Sequence, residues 1–239
     1  MSLSRREFVF LSSGAVAGNL AVPGIEIAEG DTKQAREFAD SGLVTGKPKP
    51  LKHKSIPGFL SAEQIAPHHT AHYGGALRGY NGLDDQLQSS INSGKPVSPN
   101  AYGAMQRARE GKGNSVLLHE LYFDGLAPKA PSPKGDVRAA IAKRFGSVEK
   151  WAGDFQASAK TAAGWALLAR HPVNGKLYNV VSDAHANGVL WMARPLVVID
   201  VYEHAFYVDY KNRKAEYVAT FMDHIDWDVV NQRYRRALA

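Results

Sequence analysis

No cysteine occurs among the 239 residues, so no disulfide framework can brace the fold and no thiolate can bind a metal. That absence is neutral on redox compartment. Strong apolar runs are missing too. The run from Phe8 to about Ile27 is mild and broken by Gly14, Gly18 and Pro23, whereas a permanent transmembrane helix wants roughly 20 strongly apolar residues. Internal repeats are absent. So is any aromatic-basic interleaving, and no nucleic-acid partner is expected. The net charge of +6 suits ordinary solubility and also has the sign that draws an anionic substrate.

What is present divides the chain into four parts. In residues 1–28, Ser4-Arg5-Arg6-Glu7-Phe8 ahead of a Gly/Ala-rich apolar run has the pattern of a twin-arginine export signal. It implies the twin-arginine export machinery as a partner and a periplasmic or secreted location. A chance Arg pair on an amphipathic helix is the bland alternative. No clean A-x-A fixes a cleavage point, so retention as an anchor stays open. Residues 29–55, with Lys47, Lys49, Lys52 and Lys54 around Pro48 and Pro50, read as a linker or extended arm.

Residues 56–130 read as a helical hairpin, with helices over 62–83 and 101–126, the second broken at Gly103, and a loop over 89–100. Residues 131–239 read as an α/β subdomain. It has helices over 136–145 and 148–163, and strands over 165–170, 177–182 and 196–199, with an Asn174-Gly175 turn between the first two. Helix returns over 203–221. The fold class is therefore α+β, a helical hairpin followed by a short, mainly antiparallel sheet.

The chemistry centres on Asp200-Val201-Tyr202-Glu203-His204-Ala205-Phe206-Tyr207, at the end of the apolar run 195–199. A buried strand that ends in a carboxylate, with an imidazole four residues on, reads as one delivering two metal ligands. Oxygen and nitrogen donors without thiolate suit iron, manganese or zinc. Upstream, His68 and His72 are four apart on one helix face. Ser61 and Gln64 form a capping-box pattern at the start of that helix. A further His119 lies in the apolar stretch Asn114-Ser115-Val116-Leu117-Leu118-His119-Glu120-Leu121-Tyr122-Phe123. Each piece alone has a bland reading: a core histidine, a polar helix face, a common Asp-x-x-x-His.

Together, in this order, the segments resemble the iron/manganese superoxide dismutase family. Residues 200–207 resemble its D-x-W-E-H-x-Y-Y signature, 60–73 its first helix, 114–123 its H-x-N-H-x-x-F-W segment, and Gly164-Trp165-Ala166 its G-W-A/T-W strand start. The resemblance implies one iron or manganese ion per subunit, iron slightly favoured, held between the subdomains by His68, His119, Asp200 and His204. It implies superoxide as substrate. It implies catalytic support from His72, Tyr207 and His185, the last in the loop position where the family brings a Gln or His toward the site. It also implies a homodimer in which Glu203 reaches the partner's His204 and Tyr207 the partner's His72.

The chain departs from the family pattern around the ligands. Ala76 replaces a Tyr that gates the substrate funnel, which predicts a wider mouth, and Tyr73 and Tyr80 flank it. Tyr73, Tyr202 and Phe123 stand where the family has His, Trp and Trp. Glu120 follows the second ligand, where the family has a small polar residue, and is expected to point away from the metal. His53, His171 and His224 are expected at the surface, and His69 in solvent. These changes motivate an alternative: a non-catalytic or weakly active metal-binding protein on the same scaffold.

Overall fold

The computed structural model describes residues 38–94, 97–129, 133–188 and 190–238. The export-signal pattern and the first part of the arm lie outside the described residues.

Within them, residues 38–55 lie against the hairpin. A short helix α1 (Gly42–Thr45) is capped by the Ser41 hydroxyl and ends at Gly46, whose φ of 69° is in the left-handed region. The first long helix comes in three pieces. α2 (Ala62–Pro67) opens under the Ser61 cap, a π turn covers His68–Tyr73, and α3 runs over Gly74–Ser93. Pro67 brings no N–H to the ladder, and the helix widens directly after it. π turns of this kind gather at functional sites, and this one carries His68 and His72. α3 runs ten residues beyond the expected helix end, and α4 (Pro99–Asp124) passes through Gly103 without a break. α3 and α4 pack along each other as the hairpin.

The second part opens with α5 (Gly135–Phe145) and α6 (Val148–Thr161). An antiparallel sheet of order β2-β1-β3 follows: β1 (Trp165–Arg170), β2 (Leu177–Ser182) and β3 (Arg194–Asp200). β1 is the middle strand. All but its last residue are buried, in keeping with the near-continuous apolar sequence Trp-Ala-Leu-Leu-Ala. Its Trp165 pairs with Ser182 on one side and Asp200 on the other, which puts the start of β1 beside the ligand-bearing end of β3. The chain is thus α+β, a helical region followed by an open three-stranded sheet flanked by helices.

The helix expected over 203–221 is interrupted. A 3-10 turn (Glu203–Ala205) and α7 (Tyr207–Tyr210) meet at Phe206, and α7 ends before α8 (Lys214–Phe221) at Lys211, whose φ is 54°. α9 (Trp227–Arg236) was not foreseen. It opens under an Asp226 cap that accepts from the Asp228 and Val229 amides.

Candidate metal centre

Four elements deliver one cluster: His68 from the π turn, His119 from α4, Asp200 from the end of β3 and His204 from the 3-10 turn. One donor atom from each lies within 4.8 Å of every other. Asp200 Oδ2 sits among three imidazoles, 3.1 Å from His68 Nε2, 3.3 Å from His204 Nε2 and 3.6 Å from His119 Nε2. His68, His119 and Asp200 are buried, and His204 is partly open.

Asp200, His119 and the turn of His204 are held from behind. Asp200 Oδ1 accepts from the Tyr202 amide at 3.0 Å, and its backbone carbonyl accepts from the Tyr217 hydroxyl at 2.8 Å, itself paired to the Tyr122 hydroxyl at 2.9 Å. His119 Nδ1–H donates to the Ser115 carbonyl at 2.6 Å, so its Nε2 carries the lone pair. Gln64, wholly buried, clamps the turn of His204: its amide donates to the His204 carbonyl at 2.6 Å and accepts from the Val208 amide at 2.9 Å. The capping-box pattern marked Gln64, but its side chain does not return to Ser61. Asp209 binds the Ser61 amide and hydroxyl instead.

The cluster passes a simple test for a cation. The Nε2 atoms of His119 and His204 are buried and make no hydrogen bond. Buried polar atoms left this way are costly. Two unbonded imidazole nitrogens, with the His68 nitrogen as a third and a carboxylate oxygen between them, suit an N₃O metal site. Burial would raise the Asp200 carboxyl, but contact with the His204 and His68 imidazoles outweighs it and holds the acid below its ordinary range. Burial drives His119 down to about 3 from 6.5, and it also lowers His68. His68 and His119 are therefore neutral and Asp200 ionised at neutral pH, the states in which such groups bind a metal.

A pH dependence follows for the metal-free protein. His119 takes up a proton near pH 6.5 when unfolded and only near 3 when folded. The unfolded chain thus binds more protons throughout that window, and stability falls as pH drops. The loss is about 1.4 kcal/mol per pH unit from this group alone. Asp200, also depressed on folding, adds a loss in the same direction below its ordinary range. Urea titrations of apoprotein at pH 7.5, 6 and 5 should show falling midpoints at constant slope. A flat profile would contradict the buried, neutral His119.

Around the cluster, His72 stacks on His204 at 3.8 Å between centroids and 9° between planes, and Tyr202 stacks on His204 at 5.3 Å and 13°. His72 is itself exposed. Trp165 Nε1–H donates to His185 Nδ1 at 3.0 Å, which leaves the ring proton of neutral His185 on Nε2. The His185 ring lies 6.5 Å from that of His119 and is not part of the ligand cluster. Tyr207 and Glu203 are exposed in the protomer, Tyr207 by 47 %.

Several expectations are corrected. His224 is buried, not at the surface. It stacks on Phe59 at 4.9 Å and binds the Ala127 carbonyl. His69 is half-buried and binds the Lys49 carbonyl at 2.8 Å. Ala76, expected at a widened mouth, is only 4 % exposed and belongs to the core. Glu120, expected to point away from the metal, is no part of the ligand cluster, and its carboxylate is buried. It accepts from the Tyr73 hydroxyl at 2.8 Å and from the Gly42 amide at 2.7 Å.

The C-terminal residues 133–233 match the family model described as iron/manganese superoxide dismutases, C-terminal domain. The chain is 33 % identical over 192 residues to "Superoxide dismutase [Mn] 2" of Haloferax volcanii, covering 80 % of this chain and 95 % of that one. It is 36 % identical over 192 residues to "Superoxide dismutase [Fe]" of Aquifex aeolicus, covering 79 % and 90 %.

The chain belongs to the iron/manganese superoxide dismutase family.

A further relative, "Superoxide dismutase [Fe]" of Cupriavidus metallidurans, is 34 % identical over 199 residues, covering 82 % of this chain and 98 % of that one. Manganese and iron relatives thus match about equally well.

Proposed function

We propose that this member of the superoxide dismutase family converts two superoxide ions and two protons into dioxygen and hydrogen peroxide. The observation that carries the reading is the buried group of three imidazole nitrogens around one carboxylate oxygen, two of them without a hydrogen bond. An iron or manganese ion held by His68, His119, Asp200 and His204 would supply one-electron chemistry between its trivalent and divalent states. The chain's own groups do the rest. Asp200, fixed at Oδ1 by the Tyr202 amide, keeps Oδ2 and its charge in the cluster. His185, fixed by Trp165, offers Nε2–H as a donor beside it. His72, exposed and stacked on His204, links the cluster to solvent. Iron is placed ahead of manganese because a His at 185 resembles iron members of the family. Metal analysis of protein from its native host tests that choice.

A homodimer through Glu203 and Tyr207 fits their exposure beside His204. Glu203→Ala should then shift sedimentation toward monomer and lower metal retention. A wild type that sediments as a monomer at micromolar concentration would refute the dimer. Export through the twin-arginine route to the periplasm or beyond rests on Arg5-Arg6. The Arg5→Lys, Arg6→Lys double variant should remain in the cytoplasm.

The second reading, a metal-binding protein without useful turnover, is favoured by Ala76, Phe123 and Tyr202 in place of the family's aromatic groups. Pulse radiolysis of stoichiometrically loaded protein separates the two. Catalytic superoxide decay supports the first, and decay limited to one equivalent supports the second.

A further inference from the structure

We propose that the sheet end farthest from the metal ligands is a docking surface for an anionic phospholipid bilayer. Leu190, Trp191 and Met192 stand in solvent with 57 %, 93 % and 67 % of their surface exposed. They form the tip of a turn closed by the Ala193 amide on the Leu190 carbonyl at 3.0 Å. Met192 has a φ of 72°, at the position such turns normally give to Gly or Asn. The loop therefore holds a bulky apolar residue in a disfavoured backbone conformation, at the point where a polar or glycine residue would be easiest. Strain and exposed apolar surface kept at one spot suggest function.

The tip is also fixed in place. His171 Nε2 binds the Trp191 carbonyl at 3.0 Å, which joins it to the β1–β2 turn, whose Val173 is 75 % exposed. β3 begins two residues after Met192 and carries Asp200 at its other end, so the tip lies about 20 Å from the ligands along the strand.

The charge around this end chooses the occupant. Lys176 follows Val173 in the turn, Arg194 opens β3, and both are exposed. Lys143, Arg144 and Lys176, with Asp136 as the one carboxylate, line a cavity of about 550 Å³ that shares Asn174 and Gly175 with the turn. A second copy of the chain docked tip to tip would bring these cations together. An anionic headgroup layer neutralises them and lets the indole settle at the water–hydrocarbon boundary, where Trp is favoured.

The other tryptophans, Trp151, Trp165 and Trp227, are at most 2 % exposed, so a change of emission on binding reports Trp191. Full-length metal-loaded protein would be mixed with vesicles of neutral phosphatidylcholine, or of the same lipid with a third phosphatidylglycerol. The expected result is co-sedimentation with the anionic vesicles and a blue shift of emission. Partition should fall about tenfold or more in Trp191→Ala and in Lys176→Glu with Arg194→Glu, with metal content and superoxide decay unchanged. Undiminished binding of Trp191→Ala, as when residues 1–28 carry the binding, would overturn the proposal. So would absence of an emission shift with anionic vesicles. An emission shift that follows protein concentration without lipid would assign the tip to a second copy instead.

Discussion

Asp200→Ala, purified at neutral pH, should contain little iron or manganese, with affinity reduced more than about a hundredfold. Losing groups that only support a ligand already costs about 10- to 100-fold. Asp200 does more than support. Its Oδ2 is the oxygen within 3.1–3.6 Å of all three imidazole Nε2 atoms, and it brings the one negative charge of the cluster. Without it, a divalent or trivalent ion would face three neutral rings in a buried space. His119→Ala should lose metal to a similar extent, because Nε2 is oriented by the Ser115 carbonyl and no neighbouring donor can replace it. His171→Ala is the control, since the His171 ring binds the Trp191 carbonyl, away from the cluster, and the variant should keep full metal. Full metal in a folded Asp200→Ala or His119→Ala protein would sink the assignment.

Glu120→Ala should destabilise the protein by roughly 2–4 kcal/mol, or about 4–16 °C in Tm. Its carboxylate takes two buried hydrogen bonds, from the Tyr73 hydroxyl and the Gly42 amide. Removing the shared acceptor leaves both donors unpaired, the more expensive kind of loss. The same deletion removes the fastener of residues 38–55 to α4 that lies next to His119, leaving Lys49 on Asp124, so metal release should also quicken. Tyr73→Phe removes one of those bonds, and also the acceptor of the Lys49 amide, but leaves Glu120 with Gly42. It should cost less. Equal stability of Glu120→Ala and wild type would show that the arm is not fastened through this carboxylate.

The cluster of His68, His119, Asp200 and His204 was legible only as a set: each segment alone has a bland reading, and the resemblance of all three segments to one family joined them. The sheet was legible from local properties, its apolar runs and an Asn-Gly turn. His224 was misplaced because its burial comes from Phe59 and Ala127, both remote in sequence. The two buried bonds of Glu120 left no local mark, because its partners Gly42 and Tyr73 are 78 and 47 residues away. The π turn left no trace in composition, since its residues would suit an α-helix equally well. α9 carries a local signal in the sequence. Asp226 caps it, and Trp227 and Val230, three apart, are buried.

The arm of residues 38–55 also bears on the order of folding. Its fasteners span the chain: Lys49 to Tyr73, Gly42 to Glu120, Lys49 to Asp124, and Lys52 to Asp226, 174 residues on. Helices and the β1–β2 hairpin need only neighbours, whereas closing loops of this length carries an entropic cost that must be met before the contact helps. The first described residues to leave the ribosome are thus among the last to be secured, and they wait for the helix made last. Interactions formed that late are absent from the transition state. Weakening them leaves the folding rate nearly untouched and appears almost wholly as faster unfolding. For this protein, substitutions in the arm's fasteners should therefore shorten the life of the native state and leave the refolding rate nearly unchanged, as stopped-flow refolding and unfolding would read.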